Sequence, residues 1–446
     1  MRRSLLIVML LLLALPSHAQ KRVEILRAAK GTGAQTEKGF VRTLTGNVLL
    51  RSDKITVACD SAIHYVDLDE LYAYGAITIT TESETIRTRR LFYNTRTEWS
   101  LLERGVEIVR DSTTLTSETV EYSFDTEIAT FERPLTIQDS EGLLLAQRGT
   151  YFAKSDSAMV FGNVQVSDST YYLEADSVYT NRKSESHKLF GRVFLHDKEE
   201  NTRLIGAYVE ADSTGRRLIR GEAFIEQIDS TDADTTYMRA AEILVERNAD
   251  KQRTILATGG VMSWSADYAT LSDTTHVFEA DSLTLLRGSP RAWHKEMQLS
   301  GETLDIRFRN EKIHQILAYG VPSAAQLDSV TQRVHQMKGD TLLLSFSDGE
   351  ISLFRIHPNA TVLYHNHKDD NTPDGAIELN ALSIEVVFED GDVVDVRAWK
   401  GIDGSFLEES AELNTRRMQG VMWQPEEKPI RPSERPTPRL SPPVPS

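Results

Sequence analysis

This 446-residue chain has almost no cysteine and no excess of positive charge. The single cysteine, Cys59, excludes an internal disulfide, so packing and backbone pairing must supply the stability. We expect Cys59 to act as a small buried hydrophobe. Lys and Arg number 50 against 66 Asp and Glu, which gives a formal net charge of −16. Because nucleic-acid binding depends on cations that neutralise phosphates, we expect no nucleic acid partner.

Catalytic signatures are also missing. The chain contains no G-x-S-x-G, no H-E-x-x-H, no P-loop and no paired C-x-x-C. Asp-Ser pairs recur at 60–61, 176–177 and 281–282. Recurrence favours a structural role, because Asp and Ser bond nearby backbone at strand ends and turns, and an active site is seldom copied in every repeat. We therefore expect no enzymatic activity and no cofactor.

Two clusters have the residue types of metal ligands. One is His365, His367, Asp369 and Asp370 in YHNHKDD, and the other is the aspartates of DSTDAD at 229–234. The first lies in a predicted polar turn and nothing completes a closed shell of ligands. The second lacks the glycine and the terminal glutamate of a calcium loop. We interpret both as solvated turns and expect no metal.

The two ends of the chain differ from the rest in composition. MRRSLLIVMLLLLALPSHAQ has two arginines, an apolar run and small residues before Gln20, which predicts a cleaved secretory signal over residues 1–19. The apolar run is shorter than the roughly 20 residues that span a bilayer. Residues 424–446 are rich in proline, which cannot donate to a strand ladder, so we predict a disordered, extended tail there.

Repetition is the strongest signal in the chain. The phrase LTGNVLL at 44–50 returns as VFGNVQV at 160–166, LFGRVFL at 189–195 and IRGEAFI at 219–225. Whole units begin near residues 55, 86, 114, 144, 172, 204 and 238, and so recur about every 30 residues, as in repeat architectures. Each unit has two segments of period two, rich in Val, Ile, Thr, Tyr and Phe, joined by a polar turn. This pattern predicts paired strands and an all-β fold.

The repeats define the predicted domain boundaries. After a lead-in at 20–40, one run of repeats covers residues 41–322 and less regular copies cover residues 338–423. Between them, SAAQLDSVTQRVHQM at 323–337 is the nearest approach to a helical pattern, and we predict a helical insertion there that could separate two bodies.

The repeated phrase also predicts a wall of apolar side chains. Because side chains alternate along a strand, the apolar residues of each phrase share one face with its glycine. Glycine inside a strand costs stability, so its return suggests a bend, and a sheet bent along a glycine line forms a channel. The predicted wall consists of Leu44, Val48, Leu50, Leu71, Ile77, Ile79, Val160, Val164, Val166, Leu189, Val193, Leu195, Ile219, Ile225, Ile255 and Val261.

These motifs resemble the OstA or LptA family of lipopolysaccharide transport proteins. The resemblance rests on Gly46-Asn47-Val48 and Gly162-Asn163-Val164, together with Glu-Ala-Asp-Ser at 174–177 and 279–282 and Lys-Gly-Asp-Thr at 338–341, and it spans about residues 41–406. It implies an open, slightly twisted β-jellyroll, V-shaped in section, whose apolar interior binds lipopolysaccharide acyl chains in the periplasm. It also implies partners of the same fold that stack through edge strands at the inner and outer membranes, and it is compatible with self-association and with association with the outer membrane.

Two other classes of protein remain open at this stage. A structural or adhesive β-solenoid would pack the same apolar wall against itself, since such a wall looks alike whether it meets lipid or its opposite wall. A β-helix that binds or modifies polysaccharide should cluster carboxylates on one face of adjacent repeats, whereas the aspartates here begin strands. We therefore favour a non-enzymatic lipopolysaccharide carrier that supports outer-membrane assembly.

Overall fold

The computed structural model describes residues 23–440 except 54, 141, 229–234, 251, 311, 390–391 and 433–436. The predicted signal at 1–19 and the aspartates of 229–234 lie outside the described residues. Strands dominate the described chain, which has no α-helix and has short 3-10 turns at Val66–Leu68, Ala411–Asn414 and Pro425–Glu427. The predicted all-β, jellyroll-like fold is confirmed.

The chain forms two compact units. Unit 1 comprises Met1–Ser140 with Gln147–Lys154, and unit 2 comprises Glu141–Ala146 with Ser155–Ser446. The first twelve strands are β1 (Val23–Arg27), β2 (Lys30–Thr36), β3 (Gly39–Ser52), β4 (Ile55–Tyr65), β5 (Glu70–Thr80), β6 (Thr85–Asn94), β7 (Trp99–Arg110), β8 (Thr113–Ser123), β9 (Ile128–Phe131), β10 (Leu135–Gln138), β11 (Gly142–Ala146) and β12 (Arg148–Phe152). All of these except β11 belong to unit 1.

The later strands belong to unit 2. They are β13 (Ser157–Asp168), β14 (Tyr171–Asn181), β15 (Ser186–Asp197), β16 (Thr202–Ala211), β17 (Arg217–Ile228), β18 (Thr235–Arg247), β19 (Arg253–Trp264), β20 (Ala269–Phe278), β21 (Leu283–Arg287), β22 (Arg291–His294), β23 (Met297–Ser300), β24 (Thr303–Arg309), β25 (Lys312–Tyr319), β26 (Ser323–Leu327), β27 (Val334–Lys338), β28 (Thr341–Ser347), β29 (Glu350–Ile356), β30 (Ala360–His367), β31 (Pro373–Ala381), β32 (Ser383–Glu389), β33 (Asp392–Trp399) and β34 (Asp403–Leu407).

Long strands pair antiparallel with their neighbours in sequence, from β3 to β8 in unit 1 and from β13 to β20 in unit 2. The predicted lead-in at 20–40 joins this ladder, because β1 and β2 both pair with β3. Polar residues close the turns: the Asn94 Oδ1 atom accepts the backbone N–H groups of Arg96 and Thr97 at 3.2 and 2.9 Å.

A β-bulge interrupts every second long strand at the glycine of the repeated phrase. At the bulge of β5, Gly75 has φ +97°, and an added Cβ would lie 2.0 Å from Oδ2 of Asp60. That Oδ2 atom accepts the backbone N–H of Ala76 at 3.0 Å. Only glycine fits both the backbone conformation and the close approach of the aspartate. At β5 the predicted glycine bend is therefore a bulge held by a carboxylate, whereas alanines lie beside Gly221 of β17 and Gly259 of β19.

The repeated Asp-Ser pairs are structural, although their position differs from the prediction. Asp60 and Asp176 lie in mid-strand, opposite the bulge of the next strand, and not at strand ends. Asp176 accepts the backbone N–H of Arg192 at 3.1 Å and also pairs with the Arg192 guanidinium at 2.9 Å. In contrast, Asp281 lies in the turn between β20 and β21. Two copies of one motif thus fix bulges, and the third forms a turn.

Beyond β20, two separate ladders of short strands form two walls in unit 2. The end of β20 at Thr274–Phe278 pairs with β21, and its start at Ala269–Leu271 pairs with β22. Wall A then runs β22-β23-β26-β27-β30-β31-β34, and wall B runs β21-β24-β25-β28-β29-β32-β33. Each long strand of unit 2 contributes one half to each wall. Buried apolar residues of both walls, such as Leu299 and Leu304, pack together between them.

The predicted helix at 323–337 is wrong. These residues form β26 and β27, which pair as a hairpin inside unit 2 and do not separate two bodies. The turn explains the misleading pattern, because the Asp328 carboxylate accepts the N–H groups of Val330 and Thr331 at 3.0 and 3.1 Å. This Asx turn interrupts two period-two segments, and the combined spacing imitates a helix.

The predicted disorder of residues 424–446 is also wrong for the described part of this tail. The strands end at Leu407, and residues 408–432 and 437–440 then lie in contact with wall A and with β14. Buried side chains provide hydrogen-bond partners that a proline-rich segment cannot find within itself: Oε1 of Gln298 accepts the backbone N–H of Gln424 at 2.8 Å.

Candidate functional site

The inner faces of the two walls form the candidate site in unit 2. In wall A, one row of side chains crosses six strands through paired positions: Val166, Leu173, Leu195, Leu204, Ile225 and Met238. In wall B, a second row crosses seven strands through paired positions: Val160, Val178, Leu189, Val209, Ile219, Ile243 and Ala257. Such rows arise because each bulge keeps the apolar residues of its strand on the inner face.

The residues predicted from the phrase lie in these inner surfaces. All of them are buried except Val166, which is half-buried: Leu44, Val48, Leu50, Leu71, Ile77, Ile79, Val160, Val164, Leu189, Val193, Leu195, Ile219, Ile225, Ile255 and Val261. The first six belong to unit 1 and the others to unit 2. Whether they contact lipid stays a prediction.

Sequence reasoning predicted the strands that lack the glycine but missed which of their residues face the interior. In β4, Val57 and Cys59 are buried before Asp60, and Ala62 and His64 are buried after it. The inner face therefore changes phase at the aspartate, because β4 has no extra residue to restore the alternation. The sequence signal for this phase change is the spacing of three positions between Cys59 and Ala62, where strict alternation would give two. Cys59 is buried, as predicted, and burial raises its pKa to about 11.

Side chains close the rim of the interior in unit 1. The Tyr122 hydroxyl of β8 donates to the Glu84 carboxylate, which lies in the turn before β6. Both residues are buried, and burial raises the pKa of Glu84. Tyr93 and Phe124 pack at the same place, with ring centroids 5.7 Å apart. The inner surface of unit 1 is thus packed shut by its own side chains.

An open cleft interrupts the interior of unit 2. It has a volume of 560 Å³ and lies between Ile225 and Met238 of wall A and Ile255, Val277 and Phe308 of wall B. Its size falls within the range of about 300–1,000 Å³ that is typical of small-molecule sites. Two of the predicted wall residues, Ile225 and Ile255, line it. The cleft provides apolar surface that the walls do not already cover.

Polar groups surround the mouth of this cleft. Gln227, Thr236, Arg253 and Glu279 contribute to its lining. The Arg253 guanidinium lies 3.4 Å from the Glu279 carboxylate, and its side chain is 12% exposed. The cleft therefore combines an apolar interior with one cation at the edge, an arrangement suited to an amphipathic ligand.

Farther along unit 2 the walls are in contact. The space between Ala292, Met297 and Leu299 of wall A and Ile316 and Leu344 of wall B amounts to 10 Å³, about the room for a single water molecule. A ligand could enter here only if the walls moved apart. The interior is therefore open at the cleft between Ile225 and Phe308 and closed between Met297 and Leu344.

His365 does not lie in the polar turn that YHNHKDD predicted. It belongs to β30, is fully buried and stacks at 6.1 Å from His335 of β27. Burial lowers the pKa of both histidines to about 4, so both are neutral at pH 7. Within the described ranges, no group of three or more His, Cys, Asp or Glu side chains is placed to hold a metal ion.

No helix among the described residues has the length and apolarity needed to cross a membrane. A comparison with curated proteins finds no match. Among solved structures, the chain is similar to LptH from Pseudomonas aeruginosa, described as the LptA homologous periplasmic component of the lipopolysaccharide transport device. The match has 13% identity and a TM-score of 0.25, and it covers 31% of this chain and 93% of that one.

The family comparison agrees with the repeated phrases. Residues 20–202 match the model of the OstA-like protein family. This range contains β1 to β15 and the motifs at 46–48, 162–164 and 174–177 on which the resemblance rests, whereas the motifs at 279–282 and 338–341 lie beyond it. The predicted resemblance to this family is confirmed for residues 20–202, which the family model matches.

Proposed function

We propose that this protein is a non-enzymatic lipopolysaccharide carrier of the periplasm that binds acyl chains between its two walls and supports outer-membrane assembly. The observation that carries the proposal is the 560 Å³ cleft, which continues the apolar rows of both walls. The OstA-like region at 20–202 supports the same function. The ten predicted wall residues of unit 2 would then form the surface along which the acyl chains lie, and the six of unit 1 would line the interior of that unit.

The interior would bind lipid through the apolar surface that becomes buried and not through specific polar contacts. Each buried methylene contributes about 0.8 kcal/mol, so ten methylenes contribute about 8 kcal/mol without a polar pocket. Arg253 at the mouth of the cleft would attract the phosphates of the lipid head group, since an arginine fork matches phosphate oxygens. Its partner Glu279 would then compete with the phosphate for the guanidinium.

Edge strands offer surfaces for partners of the same fold. In unit 2, β33 and β34 each pair with one described strand, β32 and β31 respectively. Large apolar side chains near these edges are exposed, including Val396, Trp399, Ile402 and Phe406. An unpaired edge with apolar neighbours is a template for strand addition. We propose that transport partners at the inner and outer membranes, or a second copy, stack on such edges.

A second candidate function is a structural β-solenoid with a closed core. The burial of the inner surface of unit 1 favours it, because residues such as Ile79, Ile86 and Leu91 have no exposed surface. In this alternative the cleft of unit 2 would be a packing fault and would bind nothing.

Photocrosslinking in cells that make labelled lipopolysaccharide distinguishes the two functions. A photoreactive residue at Met238 lies in the cleft, and one at the neighbouring exposed Arg239 lies on the opposite face as a matched control. The carrier predicts lipopolysaccharide adducts at 238 and not at 239. A second pair, Val164 inside and Gln165 outside, tests whether lipid also reaches the buried inner face of β13. If folded protein gives no adduct at 238 or 164, the carrier proposal is refuted and the closed core is supported.

A further inference from the structure

The outer face of wall A contains a row of buried polar side chains that take no part in the backbone hydrogen bonds of the sheet. Gln298 and Gln336 are fully buried, and Ser323 and Arg333 are almost so. Gln298, Ser323 and Gln336 alternate with residues of the inner core along β23, β26 and β27, and Arg333 directly precedes β27. Buried polar groups need partners. Here the partners come from residues 408–432, which we call the tail segment.

The two glutamines bind the backbone of the tail segment in the same way. Gln336 donates from Nε2 to the Arg416 carbonyl at 2.8 Å and accepts the Met418 N–H at 2.6 Å. Gln298 donates to the Met422 carbonyl at 3.3 Å and accepts the Gln424 N–H at 2.8 Å. Each side-chain amide thus bonds the carbonyl of one residue and the N–H two residues later, as a neighbouring strand would. This recognition requires an extended backbone and no particular side chain.

Side-chain contacts add selectivity at separate points. Leu413 is buried against Leu363 and Ala376. The Arg431 guanidinium lies 5.2 Å from the ring centroid of Trp264, which is a cation–π contact. These contacts select for an apolar anchor near one end of the bound segment and for an arginine near the other.

A third buried acceptor continues the row on β14. The Glu174 carboxylate is fully buried and accepts the backbone N–H groups of Arg439 and Leu440 at 3.0 and 2.8 Å. The Arg439 side chain lies 3.5 Å from Glu174 and 3.6 Å from Asp176. A second arginine therefore meets a carboxylate pair, and the surface is complementary to a basic segment.

The tail segment binds without joining the sheet. None of the described residues in 408–432 and 437–440 belongs to a strand, so its release breaks no ladder hydrogen bond. We propose that the outer face of wall A, with Gln298, Gln336 and Glu174 as its backbone receptors, is a binding site for an extended, arginine-bearing and proline-containing polypeptide segment. The tail fills this site in the free protein, and a partner protein with a segment of the same chemistry displaces it.

Binding of a synthetic peptide to the full-length chain tests the proposal. The probe is a fluorescein-labelled peptide with the sequence of residues 411–432, followed by anisotropy. The wild-type chain should bind it weakly, because its own tail competes at an effective concentration of about millimolar. Weakening the tail in the full chain with Leu413→Ala and Arg431→Ala should tighten peptide binding at least tenfold.

Receptor variants provide the specificity control. Gln298→Leu and Gln336→Leu, added to the weakened tail, should reduce peptide binding at least tenfold. Gln326→Leu is the matched control, because Gln326 shares the inner face of β26 with Ala324, and it should leave binding unchanged. Absence of peptide binding to the folded, tail-weakened chain would overturn the proposal, and so would equal binding with and without the receptor glutamines.

Hydrogen exchange on the wild-type chain gives a test that needs no variant. If the tail is releasable, the amides of Met418, Met422 and Gln424 should exchange at least a hundredfold faster than the ladder amides of β27, yet more slowly than in the free peptide. Exchange of these amides only at the rate of the ladder would show a permanent part of the fold and contradict displacement.

Discussion

Replacing Gly75 with alanine tests whether Asp60 fixes the bulge of β5. Gly75 has φ +97°, a region that costs an alanine about 1–2 kcal/mol. The added Cβ would also lie 2.0 Å from Oδ2 and 2.6 Å from Cβ of Asp60. Overpacking of this kind costs about 1–3 kcal/mol more, because the neighbouring strand must shift. We therefore expect Gly75→Ala to destabilise the protein by about 2–5 kcal/mol in total.

A matched control lies two strands away in the same unit. Gly105 occupies the bulge of β7 with φ +82°, but an added Cβ would have no heavy atom within 4 Å. Gly105→Ala should therefore show only the backbone cost, about 1–2 kcal/mol. The difference between the two variants isolates the contact with Asp60.

Urea unfolding and hydrogen exchange provide the measurement. Urea curves give the loss of unfolding free energy, and exchange in β4 to β6 shows whether the loss is local. The double variant Asp60→Gly with Gly75→Ala should recover at least about 1 kcal/mol relative to the sum of the single variants. Equal costs for Gly75→Ala and Gly105→Ala, without coupling to Asp60, would refute the carboxylate-held bulge.

Three further predictions concern buried polar groups. Tyr122→Phe removes the hydroxyl that donates to buried Glu84 and should cost about 1–3 kcal/mol in urea unfolding, whereas an unchanged midpoint would show an open rim. Because the pKa of His365 is about 4 in the folded chain and 6.5 as its ordinary value, its contribution should be complete above pH 6.5 and fall towards pH 4; thermal melts should show a flatter profile in His365→Gln. Arg333 and the Gly375 N–H lower the pKa of Glu409 to about 2. The contribution of Glu409 to stability is therefore present above its ordinary pKa of 4.5 and is lost towards pH 2. NMR titration should show a higher pKa of Glu409 in Arg333→Gln than in the wild-type chain.

Structural features that repeat at a fixed spacing could be predicted from the sequence. The LxGxVxL phrase revealed the strands, the bend and one half of the inner surface, because alternation and glycine each leave a direct pattern. Strands without the glycine were harder to interpret. In β4 the buried set passes from Cys59 to Ala62 across Asp60, and this phase change depends on a bulge in the next strand. A pattern read along one strand cannot show a residue inserted in its neighbour.

The two wrong predictions have different physical origins, a local turn in one case and partners distant in sequence in the other. Residues 323–337 imitate a helix because an Asx turn at Asp328 joins two short strands. The tail is poor in ladder donors, but Gln298 and Gln336, which lie far from it in sequence, complete its hydrogen bonds. Local composition could not reveal these receptors, and it could not reveal where the walls separate to leave the cleft.

The closed interior of unit 1 and the open cleft of unit 2 bear on how lipid would move. Where walls touch, an entering acyl chain replaces wall-to-wall contacts with wall-to-lipid contacts, so the net gain comes mainly from methylenes removed from water. In unit 1, polar pairs such as Tyr122 with Glu84 must separate as well, and breaking a buried pair is costly. The open cleft requires neither step. We therefore expect the cleft lined by Met238 to give the first lipid adducts, and Tyr122→Phe to increase adducts in unit 1 if lipid passes through it.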